Sequence, residues 1–217
     1  MKILQLLLLV LVLTHAKAQI KPIGQTLGDS PIDNPAYAEV GGTAYLPLTF
    51  QRAYCTKPTG ESDTLLVRFD MYAGYWEVMQ GRNVLVSKSK YKQVMIDIPD
   101  EGLGVFRNGF SAIDGLSSGA FYQILYDGKT KLLKHISATK SDCYNYGGIY
   151  KQCFKQNERY YVQQADGSLL RIDTNKELIW EVFGASQSQV KDYATRNKLR
   201  TKRWLDISKL LQHFDSL

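Results

Sequence analysis

Apolar and polar residues alternate in short runs between residues 63 and 98, DTLLVRFDMYAGYWEVMQGRNVLVSKSKYKQVMIDI. Turn-forming residues interrupt these runs at Ala73-Gly74 and within residues 80–83. Because successive side chains of a strand point to opposite faces, the pattern predicts an antiparallel meander with one buried face. We expect strands near residues 65–71, 75–80, 84–88 and 93–98. In the first of them Leu65, Val67, Phe69 and Met71 share one face, whereas Leu66, Arg68 and Asp70 face the other way.

The first 18 residues, MKILQLLLLVLVLTHAKA, have the pattern of a secretory signal peptide. An apolar run from Leu4 to Leu13 is followed by Ala16-Lys17-Ala18, which fits a small-x-small cleavage site, so we expect cleavage near Ala18. The run is shorter than the roughly 20 residues that span a bilayer, which makes an uncleaved anchor the less favoured alternative. The mature chain is therefore expected to be soluble and extracytoplasmic, either periplasmic or secreted, with no transmembrane segment.

Removal of the signal peptide leaves 199 of the 217 residues, enough for one sizeable domain. The formal charge of the whole chain is +6, and the loss of Lys2 and Lys17 lowers it to +4. This charge is too weak and too dispersed to indicate a nucleic-acid partner.

Three cysteines remain in the mature chain. Cys143 and Cys153 bracket a short Gly- and Tyr-rich segment, CYNYGGIYKQC, that can fold back on itself, and an oxidising compartment favours disulfides. We therefore predict a disulfide between them. Cys55 is then left over, either as a buried and inert thiol, which the burial preference of free cysteine favours, or as an exposed thiol that pairs between molecules.

Further strands are indicated outside the meander. Residues 43–53, TAYLPLTFQRA, alternate, but Pro47 is expected to confine them to an edge strand or a strand start. Within residues 121–136, Asp127-Gly128 separates two strand-like runs and predicts a hairpin with a type I′ turn. Residues 158–173 repeat this plan around a three-residue turn. Residues 111–119, SAIDGLSSG, are expected to form a flexible link.

After Ile172 the hydrophobic period changes to about 3.6, which predicts a helical tail. Residues 174–177, TNKE, have the form of a capping box for a first helix that ends at Gly184. Ser186 and Thr201 are the expected caps of a second and a third helix. The predicted fold is α+β, with residues 19–173 as a mostly antiparallel β domain, sandwich-like or a partly closed barrel, and residues 174–217 as a small three-helix tail.

Four motifs follow the signal peptide: RFDMY...WEV, the hairpin FYQILYDGKTKLLKH, the hairpin YYV...DGSLLRI and the C-terminal ISKLLQHFDSL. In this order the chain resembles a family of secreted or periplasmic proteins common in Bacteroidota, and the resemblance covers most of the mature chain. It implies a β-meander with hairpins and a short-helix tail, and it carries over no catalytic residue or cofactor. The segment between Cys143 and Cys153 departs from the family pattern.

Residues with catalytic chemistry are few. Neither HExxH, CxxC nor a phosphate-binding glycine loop occurs, so we expect no metal and no cofactor. Asp97, Asp100 and Glu101 have the residue types for acid–base work on glycosides or for holding a hard cation, although turn composition explains them better. His135 is either an outward-facing polar residue of a strand, which we favour, or a general base.

Aromatic and basic residues supply the candidate binding surfaces. Tyrosine and tryptophan stack on sugar rings, although packing within the sheet also explains them. A basic patch at the junction of the last two helices suits lipid phosphate or an acidic polymer, or is a solvated helix end. The candidates are Tyr72, Tyr75 and Trp76 at the first meander turn, Tyr144 and Tyr146 in the segment between the cysteines, and Lys198, Arg200, Lys202 and Arg203 in the basic patch.

These observations favour an extracytoplasmic binding or interaction protein of the cell envelope, whose partner is an envelope protein or a glycan. The alternative is an enzyme that acts on envelope glycans or peptides through Asp97, Asp100, Glu101 and His135, which requires those side chains to converge in one cleft. A third possibility is a structural envelope component with no small ligand.

Overall fold

The computed structural model describes residues 34–87, 90–143, 151–172 and 176–217. The predicted signal peptide lies outside these residues, as do the candidate binding residues Tyr144 and Tyr146 and the predicted capping residue Thr174.

Strands within the described residues form one mostly antiparallel sheet that is not closed, and three short α-helices follow it, which confirms the predicted α+β class. The order across the sheet is β1-β10-β9-β8-β7-β6-β2-β3-β4-β5, and β11 also pairs with β10. The strands are β1 (Val40–Gly41), β2 (Tyr45–Thr56), β3 (Ser62–Asp70), β4 (Tyr75–Gln80), β5 (Asn83–Ser87), β6 (Gln93–Ile98), β7 (Gly102–Arg107), β8 (Tyr122–Asp127), β9 (Lys131–Asp142), β10 (Gln152–Gln163) and β11 (Leu169–Arg171).

The predicted meander is present. Strands β4 and β6 occupy the predicted residues, and β3 and β5 differ from the prediction only at their ends. Of the two alternatives predicted for Pro47, the edge strand was wrong, because β2 lies inside the sheet between β3 and β6, whereas the strand start agrees with the structure, because Pro47 is the third residue of β2. The proline is accommodated because the β2–β3 register shifts between Leu46 and Gln51, and β2 pairs with β6 only from Ala53 onwards. Pro47 thus lies where the ladder needs no backbone donor.

The sheet curves strongly around its main core. Ala138 N donates to Met71 O at 2.9 Å, although β9 and β3 are separated in the sheet by four other strands. The apolar face predicted for β3 is buried in this core together with Trp76 of β4 and Phe121 before β8. A second cluster lies further along the same face of β9 and β10, where Leu132, Tyr160 and Val162 pack against the helices.

The opposite face of β3 is also buried, which the meander pattern did not predict. Arg68 is 2% exposed and Asp70 is fully buried. Arg68 Nε lies 2.7 Å from Glu77 Oε2 on β4, and the guanidinium carbon is 3.5 Å from the ring centroid of Tyr45. Tyr37 donates to Asp70 Oδ2 at 2.8 Å. Residues 34–50, which lie outside the meander sequence, therefore cover this face of β3 and bury it.

Both predicted hairpins are present, but their glycines serve different purposes. Gly167 has a φ of +85° in the three-residue turn between β10 and β11, a conformation that glycine favours. The predicted type I′ turn at Asp127-Gly128 was wrong, because neither residue has a positive φ. Glycine is instead required at position 128 because the Asp215 carboxylate and the Tyr126 hydroxyl lie close to its Cα, where a Cβ atom would overlap them.

The helical tail consists of α1 (Ile179–Val182), α2 (Gln187–Arg196) and α3 (Trp204–Asp215). Gly184 has a φ of +47° just beyond α1, as expected of a residue that ends a helix. Ser186 occupies the predicted N-cap position of α2, whereas the predicted cap of α3 was wrong. The side chain of Ser186, which also ends a 3-10 turn, makes no capping bond, and α3 has Arg203 instead of Thr201 at its N-cap position. Asp206, in the first turn of α3, accepts from Arg200 N at 3.0 Å and from Arg203 Nε at 2.9 Å.

The cysteines are arranged as predicted. Cys143 and Cys153 form a disulfide, and Cys55 is a buried free thiol in the main core. Burial, with a contribution from the Asp63 carboxylate, raises the pKa of the Cys55 thiol to about 12. The protonated thiol is a poor nucleophile, so Cys55 acts as a small apolar residue.

Candidate functional site

A cleft of about 430 Å³ lies between the β3–β4 turn and residues 115–120, and we call it the His135 cleft. The β3–β4 turn contributes Ala73, Gly74 and Tyr75 to one wall. Added Cβ atoms at Gly74 and Gly115 would meet nothing within 4 Å, so both glycines border open space. The remaining lining residues are Phe69, Leu116, Ser117, Gly119, Ala120, Phe121 and His135.

The loop that forms the second wall is ordered by specific contacts, so the prediction of a flexible link was wrong. Asp114 and Gly115 have φ values of +51° and +78°, as in a type I′ turn, and Ile113 and Leu116 exchange backbone hydrogen bonds across it. Tyr161 of β10 donates to Asp114 Oδ2 at 3.0 Å. The Asp-Gly turn chemistry expected at residues 127–128 is thus found at residues 114–115.

His135 lies on β9 and borders the cleft with an almost fully buried side chain. It is 8% exposed, and its Nδ1 atom is buried without a hydrogen-bond partner among the described residues. The ring centroid lies 5.5 Å from that of Tyr122, and Arg159 is its cross-strand neighbour on β10. The prediction that His135 faces outward into solvent was wrong, because the loop of residues 110–120 covers this face of the sheet.

The surroundings of His135 keep its imidazole neutral. Burial, reinforced by the positive charge of Arg159, lowers the pKa of His135 to about 4. A neutral imidazole has one donor and one acceptor nitrogen. At neutral pH this side chain therefore offers hydrogen bonds without a charge, and its low pKa makes it a weak general base.

Tyr122 lies beside His135 on the same face. Its side chain is 1% exposed, and its hydroxyl has no hydrogen-bond partner within the described residues. Burial raises the pKa of the Tyr122 hydroxyl to about 12. Two neighbouring polar groups are thus withdrawn from water with no hydrogen bond from the described part of the chain, an arrangement that is rare in folded proteins and costs stability.

The structure separates the three aromatic candidates at the meander turn. Tyr75 lines the His135 cleft, whereas Trp76 is 1% exposed within the main core. Tyr72 is 45% exposed and packs against Tyr37 and Phe154, with ring centroids 5.8 Å and 5.5 Å away. Of the three residues, only Tyr75 shares a surface with His135.

The acidic candidates lie elsewhere. Asp97 is an exposed residue near the end of β6, and Asp100 and Glu101 form the exposed turn that leads into β7. None of the three is among the residues that line the His135 cleft. The enzyme alternative requires these carboxylates and His135 to share one cleft, and the structure does not place them together.

The basic candidates lie in the connection between α2 and α3. Lys198, Arg200, Lys202 and Arg203 are all exposed. Asp206 is buried among them, and its carboxylate accepts hydrogen bonds from the Arg203 side chain and from the backbone N–H of Arg200. This carboxylate orders the connection at the start of α3 and offsets part of its positive charge.

Sequence reasoning missed most of the cleft. It named Tyr75 as a binding residue and His135 only for the enzyme alternative, and it did not identify the two phenyl rings or the wall of small residues. The Asp-Gly pair within SAIDGLSSG was the available signal, because it is typical of a tight turn rather than of a flexible link.

Among the described residues, no three His, Cys, Asp or Glu side chains are grouped so as to hold a metal ion. In the same part of the chain, no helix has both the length and the apolar character required to cross a bilayer. Comparison with models of protein families, with curated proteins and with solved structures gives no match.

Proposed function

We propose that this chain is an extracytoplasmic binding protein that holds one uncharged sugar residue of an envelope glycan in the His135 cleft. The observation that carries the proposal is the imidazole of His135, which lines the cleft and whose buried Nδ1 has no hydrogen-bond partner among the described residues. A polar group left unsatisfied in this way costs about 1–3 kcal/mol. A ligand that restores a hydrogen bond to the imidazole recovers part of that free energy.

The lining of the cleft favours a sugar over other small ligands. Tyr75 is partly exposed and supplies aromatic surface for the apolar face of a pyranose ring, and Ser117 supplies a hydroxyl at the rim. Phe69 and Phe121 are buried in the main core and form the apolar floor of the cleft. The volume of about 430 Å³ lies within the range of small-ligand sites. Because the low pKa of His135 keeps the imidazole neutral at pH 7, it suits an uncharged hydroxyl or amide better than an anion.

Binding is favoured over catalysis because the cleft lacks acid–base partners. No carboxylate is among its lining residues in the described part of the chain, whereas glycosidases use a pair of carboxylates. A histidine with a pKa near 4 is also poorly matched to proton transfer at neutral pH.

The proposal includes export from the cytoplasm. The Cys143–Cys153 disulfide supports it, because such bonds persist in oxidising compartments. The sequence of residues 1–18 and the resemblance to secreted Bacteroidota proteins agree with this location.

The test is isothermal titration of the protein with glucose, galactose, mannose and N-acetylglucosamine, each as monosaccharide and trisaccharide. We expect at least one of them to bind with millimolar or tighter affinity, and we expect His135→Phe to weaken that binding at least tenfold. Phenylalanine keeps a ring of similar size but offers no nitrogen to the ligand.

His213→Phe is the matched control, because His213 stacks on Tyr193 in the helical layer and does not line the cleft. We expect this variant to bind as the unaltered protein does. The proposal fails if no sugar in the panel binds at millimolar concentration, or if both variants bind with unchanged affinity.

A further inference from the structure

A second cleft, of about 350 Å³, lies where β2 ends and β6 begins, and we call it the Lys92 cleft. It shares no lining residue with the His135 cleft. Its lining residues are Thr56, Lys57, Pro58, Gly60, Lys92, Gln93 and Arg107, so it contains three cations, and none of the described residues that line it is acidic.

Backbone pairing brings these cations together. Thr56 of β2 is the ladder partner of Gln93 on β6, and Gln93 is the ladder partner of Arg107 on β7. Lys92 N donates to Thr56 O at 2.8 Å, and Lys92 O accepts from Asn108 N at 3.2 Å. The backbone of Lys92 is therefore fixed at the ends of neighbouring strands.

Two of the three cations are held by carboxylates that lie outside the lining. Arg107 Nη1 lies 2.6 Å from Asp127 Oδ2, and its Nε donates to Gln93 Oε1 at 2.6 Å. Lys57 Nζ lies 3.2 Å from Glu61 Oε2 and 3.3 Å from Asp63 Oδ2. These contacts orient the guanidinium and the ammonium before any ligand arrives, which lowers the entropy lost on binding.

Lys92 is the cation that the rest of the site does not neutralise. Its side chain is exposed and forms no ion pair within the described residues. Lys57, Lys92 and Arg107 line the concave surface itself, whereas Glu61, Asp63 and Asp127, which pair with two of these cations, lie outside the lining. The surface that a ligand would contact therefore presents positive charge, and a concave surface focuses the field of such charges.

We propose that the Lys92 cleft binds an oxyanion group, such as a carboxylate, phosphate or sulfate. Arg107 keeps its Nη2 donors for the ligand, because only Nε and Nη1 have partners among the described residues. Lys57 and Lys92 supply ammonium groups, which bind oxyanions as point charges. The oxyanion belongs either to an acidic sugar or to free phosphate, since both present the same oxygen atoms.

The test is a titration of the 15N-labelled protein with sodium glucuronate, sodium phosphate and sodium sulfate, followed by NMR at constant ionic strength. We expect saturable shifts of the amide signals of Gly60, Lys92 and Gln93. Tighter binding of glucuronate identifies an acidic sugar as the source of the oxyanion, and tighter binding of phosphate identifies a free inorganic anion.

Lys92→Gln is the first variant, and we expect it to weaken binding about fivefold, as the loss of one exposed ion pair does. Lys92→Glu reverses the charge and should abolish saturation. Lys155→Gln is the matched control, because Lys155 is an exposed lysine on β10 and does not line the cleft. The proposal is overturned if no anion gives saturable shifts at these amides, or if Lys92→Gln and Lys155→Gln weaken binding equally.

Discussion

At the scale of single residues, His135 is the clearest conflict between stability and function. Its buried Nδ1 has no partner among the described residues, and the Tyr122 hydroxyl beside it is equally unsatisfied. Replacing such groups with apolar groups of the same shape is neutral or stabilising, so selection for stability alone would favour the apolar residues. We therefore predict that His135→Phe raises the free energy of unfolding at pH 7 by about 1 kcal/mol while it weakens ligand binding. Urea unfolding measures the first effect.

The same variant has a predictable pH dependence. In the unfolded chain His135 has its ordinary pKa of 6.5, whereas burial lowers the folded-state pKa to about 4. Between these values the unfolded chain binds a proton that the folded chain does not, so the free energy of unfolding falls as the pH falls from 6.5 to 4. This contribution amounts to about 3 kcal/mol, and His135→Phe lacks it.

The stability advantage of His135→Phe should therefore widen as the pH falls from 7 to 4. Urea unfolding at several pH values within this window measures the difference, and groups that titrate in both proteins cancel in the comparison. A difference that stays constant with pH would contradict the assignment of His135 as a buried neutral imidazole.

At the scale of elements, Asp215 joins the end of α3 to the β8–β9 turn, chiefly through its carboxylate and also through its backbone oxygen, which accepts from Lys129 Nζ at 2.8 Å. Asp215 accepts from the Tyr126 hydroxyl at 2.9 Å, from Thr130 N at 3.0 Å and from Thr130 Oγ1 at 2.9 Å. An acidic residue in the last turn of a helix is unfavourable for the helix dipole. These hydrogen bonds offset that effect, so the last turn of α3 depends on the hairpin.

We predict that Gly128→Ala releases this contact. The added methyl group would overlap both the Asp215 carboxylate and the Tyr126 hydroxyl, so the hydrogen bonds to the charged group are lost at a cost of about 2–3 kcal/mol. Thermal or urea unfolding measures the loss. Gly119→Ala is the matched control, because its Cβ would make only an ordinary contact, 3.5 Å from Ser117 Oγ. Equal stability of the two variants would contradict the role of Gly128.

Local pattern predicted the elements well and their surroundings poorly. Alternation located β3 to β6, because the strand period is a property of neighbouring residues. It did not show that Arg68 and Asp70 are buried, since the cover comes from residues 34–50. The predicted cap of α3 failed for the same reason: Thr201 donates to Glu177 Oε1, 24 positions earlier, instead of capping this helix. The His135 cleft depends on three separate segments, and no single window of sequence contains it.

At the scale of the whole molecule, β9 joins the sheet core to the helical layer. Leu132 packs in the cluster with the helices, whereas Ile136 and Ala138 pack in the main core, and all three lie on one face of the same strand. Unfolding of either cluster would expose part of the apolar face of β9 to water. The two clusters should therefore unfold together rather than as separate domains.

The tryptophans provide a direct test of this coupling. Trp76 is buried in the main core, and Trp204 stacks on Tyr160 in the helical layer with ring centroids 3.5 Å apart. We predict that a variant with Trp76 alone (Trp180→Phe, Trp204→Phe) and one with Trp204 alone (Trp76→Phe, Trp180→Phe) each show one fluorescence transition in urea. For each variant its midpoint should equal that of the circular dichroism transition. An earlier transition for Trp204 would show that the helices detach before the sheet unfolds. The shared face of β9 predicts a single transition. Detachment of the helices would expose Leu132 to water and destabilise β9, and the sheet core depends on the same strand.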